Sequence, residues 1–187
     1  MRDLIVTENI TLDGVIDATE GWFAPAGDDE VDQSDVVEAL RVQREAADAL
    51  LLGRVTFEQM RGYWPAQTDD ATGIADYLNR VAKHVVSSTL DDPRWDNTTV
   101  VGGDLTEKVR ALKSAPGADI VCTGSLTLVP ALLRAGLVDE FRLFVYPVVL
   151  GRGRRLFDGT ADIPRLALAE ARPFRSGIVL LRYVAGR

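Results

Sequence analysis

The stretch LLLGRVTFEQM (residues 50–60) decides the fold, together with a second stretch of the same pattern, DIVCTGSLTLVPALL (residues 119–133). Each has a short apolar run, then a glycine beside a hydroxyl group or an arginine, and then a helical pattern. That order predicts a strand, a tight turn and a helix N-terminus, twice in one chain. The first N–H groups of a helix are unpaired and carry a partial positive charge, which favours phosphate. Two such ends predict a ligand with a pyrophosphate or several phosphates, and a nicotinamide dinucleotide is the natural candidate.

Length and composition restrict the class of protein. The length of 187 residues predicts one domain, over residues 1–187, that is long enough to bury a core. A hydrophobic fraction of 47% and a charged fraction of 26% are typical of a globular protein. The formal net charge of -7 argues against a general nucleic-acid binder, which is usually basic. A dinucleotide needs only a local basic pocket, so the acidic balance does not exclude it.

Cysteine and histidine are nearly absent from the chain. Cys122 is the only cysteine, which excludes an internal disulfide and fits a reducing cytoplasm. His84 is the only histidine, so a zinc site made of cysteine and histidine is nearly excluded and we expect no metal. A catalytic triad would have to use His84, for which a plain strand-end role is favoured.

No membrane or secretion signal is expected either. No apolar stretch reaches the roughly 18 residues that span a bilayer. The segment MRDLIVTENITLDG at the N-terminus has acidic residues and no long apolar run, unlike a signal peptide. We therefore expect a cytoplasmic protein without a membrane partner.

The chain alternates between strand and helix patterns and ends in strands. Strands are predicted at residues 4–10, 49–52, 83–87, 98–101, 119–122, 140–147, 166–171 and 178–184. Helices are predicted from 34 or 35 to 49, at 55–61 and 71–80, from a cap at 104 to 113, and from 126–128 onward. Successive βα units followed by a β-rich C-terminus predict an α/β fold, whose mainly parallel sheet has an antiparallel edge.

The dinucleotide fingerprint of Rossmann dehydrogenases, G-x-G-x-x-G after the first strand, is missing. A similar string, LGRGRRLF (residues 150–157), lies late in the chain and follows a strand without a clear helix. We therefore exclude a Rossmann dehydrogenase.

Four motifs occur in order along the chain: TLDGVI (11–16), GRVTFE (53–58), VVSSTL (85–90) and TGSLTLVPALLRAGLVDEFRLFVYPVVLGRGRRLF (123–157). Together they resemble the dihydrofolate reductase-like family, in the branch that contains the C-terminal reductase domain of bacterial riboflavin biosynthesis (RibD). The resemblance implies a three-layer α/β/α fold with a mainly parallel mixed central sheet and antiparallel C-terminal strands. It also implies an NADPH-dependent reductase that transfers hydride to a pteridine- or aminopyrimidine-like heterocycle, related to the 5-amino-6-(5-phosphoribosylamino)uracil reductase of riboflavin biosynthesis.

The resemblance also implies which residues bind NADPH. They are Gly53, Arg54 and Thr56 at the phosphates, Ser87 and Ser88 at the 2′-phosphate end, and Thr123, Gly124, Ser125 and Leu126 around the pyrophosphate. Physical chemistry agrees, since arginine offers a planar fork of donors to phosphate oxygens and glycine lets the backbone come close. The alternative roles are structural: helix caps for Thr56 and Ser125, turn residues for Gly53 and Gly124, and a surface charge for Arg54.

The long loop between residues 11 and 34 supplies the substrate candidates. Loops of this length in a compact domain are usually functional, often as lids. Asp13 is the leading catalytic and substrate-binding residue, and its alternative role is a turn residue before Gly14. Trp22 and Phe23 would cover a flat heterocycle or fill the space under the loop. Further candidates for a proton donor, near the first helix, are Asp32, Asp35 and Glu38.

Two departures from the riboflavin enzyme leave the substrate open. The chain lacks the H-x-E and C-x-x-C zinc motifs of the deaminase domain, and FEQMRGYWPAQ (residues 57–67) replaces the family's T-x-x-x-D-x-P-x-L-x-x-R block. This stretch is closer to stand-alone dihydrofolate reductase-like proteins. The alternatives are a non-catalytic nucleotide- or small-molecule-binding protein of the same fold, and a protein-interaction module, which would leave both helix N-termini without a purpose.

The strand at residues 140–147 predicts a homodimer. Its alternation puts Phe141 and Leu143 on one face and Phe144 and Tyr146 on the other, so both faces are largely apolar. One face can pack on helices while the other seeks cover, and the resemblance adds that riboflavin-type relatives associate through this region. The alternative is that one chain covers both faces.

Overall fold

Strands and helices alternate along the chain, as the sequence predicts. The computed structural model describes residues 1–17, 21–23, 31–159, 163 and 165–186. The elements of these residues are β1 (Leu4–Thr11), α1 (Ser34–Glu45), β2 (Ala47–Gly53), α2 (Arg54–Tyr63), a 3₁₀ turn (Trp64–Ala66), α3 (Ile74–Arg80), β3 (Ala82–Val86), β4 (Thr98–Val101), α4 (Leu105–Ser114), β5 (Asp119–Thr123), α5 (Leu128–Arg134), β6 (Glu140–Tyr146), β7 (Leu166–Pro173) and β8 (Val179–Ala185).

One eight-stranded sheet holds these described strands, in the order β4-β3-β2-β5-β1-β6-β8-β7. The strands from β4 to β6 run parallel, and β8 pairs antiparallel with both β6 and β7. Parallel strands in the middle of such a sheet are buried on both faces, which explains the unbroken apolar run at residues 50–52. The predicted mixed sheet with antiparallel C-terminal strands is confirmed.

Helices cover both faces of this sheet. On one face, α4 and α5 pack against β1 and β5 through Val109, Val129 and Leu132. On the other face, Phe57 of α2 and Leu78 of α3 pack against β2 and β3, and α1 packs on β6 and β8. Alternate strand residues point to opposite faces, so these clusters are separate layers of the core. The three-layer α/β/α arrangement is therefore confirmed. No helix in the described ranges is long and apolar enough to cross a membrane.

The boundary between α1 and β2 differs from the prediction. Helix α1 ends at Glu45 and β2 begins at Ala47, whereas the pattern predicted a helix to residue 49. Alanine favours helices, but the sheet pairs Ala47 with Asp119 and Ala49 with Ile120, which buries both alanines. Tertiary packing overrides helix propensity at this point.

Helix α3 begins at Ile74, three residues later than predicted. The Asp70 carboxylate accepts the N–H of Thr72 at 2.9 Å and the N–H of Ala75 at 2.8 Å, and Gly73 adopts a φ of 69°. These bonds hold residues 70–73 in a turn and satisfy one of the first N–H groups of the helix, that of Ala75.

Strand β6 lies inside the sheet, between β1 and β8. Phe141 and Leu143 pack in the cluster under α5, and Phe144 packs with Val36 and Phe174 on the other face. One chain therefore covers both apolar faces, which was the alternative to a dimer formed by this strand. The homodimer stays a prediction, without support from the faces of β6.

Candidate functional site

The two strand–turn–helix stretches meet at one edge of the sheet. Strands β2 and β5 are parallel neighbours, so their last residues, Gly53 and Thr123, lie at the same edge. Helix α2 begins directly after Gly53, and α5 begins at Leu128 after a short turn. From β1, the chain places β2, β3 and β4 on one side of the sheet, whereas β6 lies on the other side of β1. The strand order therefore reverses next to these two strand ends. Ligands of open α/β sheets bind outside the strand ends at such a point.

A close contact between Gly53 and Ser125 joins the two turns. A Cβ atom on Gly53 would come closer than 3.0 Å to the Ser125 hydroxyl oxygen, so a larger residue requires a displacement. Ser125 is buried, and its carbonyl accepts the N–H of Val129. The two helix starts therefore hold each other in place, as a shared ligand site requires.

The Gly124 turn is fixed from two sides by protein groups. Gly124 adopts a φ of 67°, and its N–H donates to both carboxyl oxygens of Glu8, at 2.9 and 3.1 Å. Its carbonyl accepts the Thr56 hydroxyl at 3.0 Å. Thr56 thus acts through the turn, which differs from the phosphate contact that the resemblance implied for its hydroxyl. Within the described ranges, the N–H groups of Ser125 and Leu126 have no protein partner and suit a phosphate.

Arg54 is the first residue of α2, and its side chain is 44% exposed. The guanidinium forms an ion pair with Glu58 at 2.9 Å, one turn further along the helix. A positive charge at a helix N-terminus opposes the helix dipole, so Arg54 does not stabilise this helix through its position. Exposed ion pairs contribute about 0–1 kcal/mol, so a phosphate can readily replace Glu58 as the partner.

Ser87 and Ser88 follow β3, the next strand beyond β2. The Ser87 hydroxyl oxygen accepts the N–H groups of Thr89 and Leu90 at 3.1 and 3.0 Å, which shapes the turn, and Ser88 is exposed. Neighbouring strands are about 4.8 Å apart, so this turn and the Gly124 turn are about 10 Å apart along the sheet edge. An extended ligand can reach both turns past Arg54.

Asp13 lies on a turn after β1 and holds a second loop. Its carboxylate accepts the Thr11 hydroxyl at 2.6 Å and the N–H of Gly151 at 2.9 Å, and Arg155 lies 3.4 Å away. The Thr11 hydroxyl and the Gly151 N–H lower the pKa of Asp13 to about 2. Asp13 is therefore ionised at neutral pH and has no proton to donate, which favours its alternative role as a turn residue.

A cavity of about 490 Å³ opens beside the ends of β1 and β6. It lies between α1, the 3₁₀ turn and residues 67–72, and its wall includes Asn9, Leu40, Arg44, Trp64 and Tyr146. Cavities of about 300–1,000 Å³ are typical small-molecule sites. No local pattern in the sequence indicates this cavity, because its wall is built from segments that are far apart in the chain.

Arg44 places a positive charge in the wall of the cavity. Its guanidinium donates to the Thr72 carbonyl at 2.9 Å, and burial lowers its pKa. It has no ion-pair partner in the part of the chain that is described, since the Asp70 carboxylate caps α3 instead. An arginine with unused donors suits a carbonyl oxygen or an anionic group of a ligand.

The carboxylates near α1 form ion pairs and hydrogen bonds outside the cavity. Asp32 forms an ion pair with Arg175, whose backbone N–H donates to Asp35 at 3.0 Å. Glu38 pairs with Arg41 at 2.7 Å. These three candidates for a proton donor do not line the cavity.

Trp22 and Phe23 lie against Tyr146, which lines the cavity. Their ring centres are 5.3 and 6.2 Å from that of Tyr146, and the Trp22 indole N–H donates to the Asp17 carbonyl at 2.7 Å. Contacts of this kind orient aromatic side chains. The structure therefore brings both predicted aromatic residues against a wall residue of the cavity, although neither lines the cavity itself. Asp13 instead binds the backbone of the Gly151 loop.

Fold and site together define the class of this protein. The sheet order, the antiparallel C-terminal strands and the helix N-termini beside β1 are those of the dihydrofolate reductase-like fold that the motifs predicted. The chain belongs to the family of the RibD C-terminal domain, whose family model matches residues 2–180.

Individual proteins show the same relationship. The uncharacterized protein YyaP of Bacillus subtilis (strain 168) is 31% identical over 188 residues, which cover 97% of this chain and 94% of YyaP. A pyrimidine reductase-like protein from Corynebacterium diphtheriae is similar in structure, with a TM-score of 0.67, 18% identity and coverage of 100% of this chain and 92% of that chain. A dihydrofolate reductase from Enterococcus faecalis, complexed with NADP(H), has a TM-score of 0.65, 17% identity and coverage of 99% and 97%. At such identities the two solved structures show the fold alone.

Proposed function

We propose that this protein is an NADPH-dependent reductase that transfers hydride to a flat pteridine- or aminopyrimidine-like heterocycle. One observation carries the proposal: the N-termini of α2 and α5, with Arg54 beside them, lie at the same sheet edge as a cavity of about 490 Å³. The first part suits the phosphates of a dinucleotide, and the second suits a small ring.

The family supports the reductase reading. The chain has the fold of the RibD C-terminal domain, and dihydrofolate reductase of Enterococcus faecalis, which shares this fold, forms a complex with NADP(H). The family does not identify the cofactor or the substrate of this chain. NADPH and a flat heterocycle are therefore our proposal.

The residues at the turns would bind and orient the cofactor. NADPH, when bound, supplies the hydride. The Arg54 guanidinium and the N–H groups of Ser125 and Leu126 would hold the phosphates of NADPH. The guanidinium carries a full positive charge, and N–H groups at a helix start carry a partial one. Ser87 and Ser88 would hold the 2′-phosphate at the neighbouring turn.

The residues of the cavity would hold the substrate. Arg44 would bind a carbonyl oxygen or an anionic substituent, while Trp22 and Phe23 would pack on the ring and exclude water. Burial raises the pKa of Tyr146, so its hydroxyl keeps its proton at neutral pH and can donate a hydrogen bond.

A second function, ligand binding without catalysis, is favoured by the position of the carboxylates near α1. Asp32, Asp35 and Glu38 do not line the cavity, so none of them is placed to protonate a substrate there. A binding protein would need the same cofactor turns and the same cavity, but no proton donor.

One experiment separates the two functions. The protein is mixed with NADPH and a panel of dihydropterins and aminouracils, and the loss of NADPH absorbance is followed. We expect turnover of one of these compounds, strongly reduced in Arg54→Ala and unchanged in Arg110→Ala, an exposed control on α4. A rise in melting temperature with NADPH but no turnover would favour the binding protein, and no rise at millimolar NADPH would contradict the reductase.

A further inference from the structure

Glu8 is a buried carboxyl group that the proposed reaction does not use. It lies on β1 between Val6 and Ile10, which point to the same face and belong to the core cluster under α4 and α5. Glu8 is only 3% exposed, and no lysine or arginine of the described residues forms an ion pair with it. A carboxyl group buried without a cation is unfavourable for stability, and such groups cluster at functional sites.

The hydrogen bonds of Glu8 go to the turn that the proposed function assigns to the cofactor. Both carboxyl oxygens accept the Gly124 N–H, at 2.9 and 3.1 Å. The Thr56 hydroxyl donates to the Gly124 carbonyl at 3.0 Å, so the peptide groups on both sides of Gly124 are fixed. The next two N–H groups, of Ser125 and Leu126, are the ones left for a phosphate.

We propose that Glu8 is a positioning residue, which holds the Gly124 turn for an anionic ligand, and that binding of this anion is coupled to uptake of a proton by the Glu8 carboxyl group. The inference rests on the proposed function, since it needs an anion at the turn. No covalent step is involved: solvent supplies the proton, and the carboxylate becomes a neutral carboxyl.

Electrostatics gives the direction of the coupling. Burial raises the pKa of Glu8 to about 8, and the Gly124 N–H opposes this rise. At neutral pH the carboxyl is mostly protonated, so the turn carries no net negative charge. Above this pKa it is ionised, and its charge repels an anion on the other side of the Gly124 peptide. Binding therefore favours the protonated form and weakens as the pH rises.

The neighbours of Glu8 do not supply another titration. From β5 it faces Cys122, whose pKa is raised well above its usual range by burial and by the charge of Glu8, so the thiol stays protonated. Strand β6 and α5 present apolar side chains to this cluster, among them Leu143 and Val129.

The charged side chains of the surrounding helices have other partners, are exposed or lie at helix ends. On α2, Arg54 pairs with Glu58. On α4, Lys113 binds the Leu137 carbonyl and Asp139, while Glu107, Lys108 and Arg110 are exposed. The only charged residue of α5, Arg134, is at its last position.

Calorimetric titration of the wild-type protein with NADPH tests the coupling directly. Titrations from pH 7.5 to 9.5 in buffers of different ionisation enthalpy give both the dissociation constant and the number of protons taken up. We expect about half a proton per NADPH at pH 8.5 and a dissociation constant that rises about fivefold to tenfold over this range. The 2′-phosphate does not contribute, since the second pKa of a phosphate monoester is about 6.

Three variants test the role of Glu8. Glu8→Gln keeps an acceptor for the Gly124 N–H but cannot ionise, so it should bind NADPH near the wild-type strength at pH 7.5 and lose the pH dependence. Glu8→Leu removes the acceptor and should weaken binding about tenfold at pH 7.5. Glu170→Gln is the control and should keep the wild-type profile. It loses a carboxylate that pairs with Arg182 and lies on β7, the outermost strand of the sheet on the side away from β4.

The outcomes separate this inference from the proposed function. NADPH binding without proton uptake, and with the same dissociation constant at pH 7.5 and 9.5, would overturn the coupling and leave the reductase in place. Equal binding by Glu8→Gln, Glu8→Leu and wild type would overturn the positioning role. Absence of NADPH binding at every pH would overturn both. The proton count needs no variant, so it decides the coupling even where a substitution prevents folding.

Discussion

The stability of Glu8→Leu relative to wild type should rise with pH. Glu8 lies between Val6 and Ile10 in the core and is 3% exposed. Its pKa is about 8 in the folded protein against 4.5 for the ordinary carboxyl group, and burial is the main cause. Leucine fits the apolar surroundings and carries no proton.

The sign follows from the two pKa values. The folded protein binds this proton more tightly than the unfolded chain, because the pKa is higher in the folded state. The stability that the group contributes is therefore complete below pH 4.5 and is lost as the pH rises through about 8. Between pH 5.5 and 9 the wild type should lose about 3 kcal/mol of unfolding free energy from this group, at about 1.36 kcal/mol per pH unit until the carboxyl ionises.

Urea unfolding of wild type, Glu8→Leu and the control Glu170→Gln at several pH values measures this difference. The lost hydrogen bond to the Gly124 N–H lowers the stability of Glu8→Leu by about 1–3 kcal/mol at every pH, so it cancels when two pH values are compared. The other titrating groups are common to wild type and Glu8→Leu, so they cancel in this comparison as well. If the difference between wild type and Glu8→Leu is the same at pH 5.5 and 9, the reasoning about Glu8 is refuted.

Four further predictions concern the site and the assembly. Arg54→Ala should weaken NADPH binding by about 1.5–3 kcal/mol in a fluorescence titration, with a change in unfolding free energy within about 0.5 kcal/mol; unchanged affinity would make Arg54 a surface charge. Gly53→Ala should lower the unfolding free energy by about 1–3 kcal/mol, because its Cβ would collide with the neighbouring serine hydroxyl, whereas Gly62→Ala has open space and should not; equal urea midpoints would contradict the contact. Arg44→Met should raise the KM for the heterocycle about tenfold and leave the dissociation constant of NADPH unchanged, and an unaltered KM would exclude Arg44 from the substrate site. Light scattering at micromolar concentration should give twice the chain mass of 20.4 kDa, and a mass that stays near 20.4 kDa would contradict the homodimer.

Local patterns predicted those features that a few consecutive residues determine. The Asp104 carboxylate accepts the Glu107 N–H at 2.8 Å, and α4 begins at Leu105, as the spacing of the two acidic residues indicated. Pro130 lies in the first turn of α5, where a proline has no N–H bond to lose. The turns after β2 and β5 were found for the same reason, because glycine followed by a helical pattern marks a turn wherever the strand lies.

The cavity and the role of Glu8 depend instead on the order of the strands. In the sequence, Arg44 is one more charged residue of an exposed helix, and only the packing of residues 67–72 against α1 makes it part of a wall. Glu8 stands among polar residues that fit a strand with one solvated face. The structure puts β1 between β5 and β6, where both of its faces are covered. A carboxyl group in a central strand would have indicated the role of Glu8, but hydrophobic periodicity does not reveal which strands are central.

The hydroxyl groups of the motifs hold the turns, which changes how the motifs should be tested. Thr56 donates to the Gly124 carbonyl, Ser87 accepts two N–H groups of its own turn, and the Ser125 hydroxyl lies against Gly53. The groups that remain for phosphates are backbone N–H groups, which only a proline would remove, the exposed Ser88 hydroxyl and Arg54. A substitution that removes the Thr56, Ser87 or Ser125 hydroxyl should therefore change stability and ligand affinity together, because it acts by moving a turn. A substitution of Arg54 should change affinity alone, and this contrast distinguishes a residue that shapes the site from one that contacts the ligand.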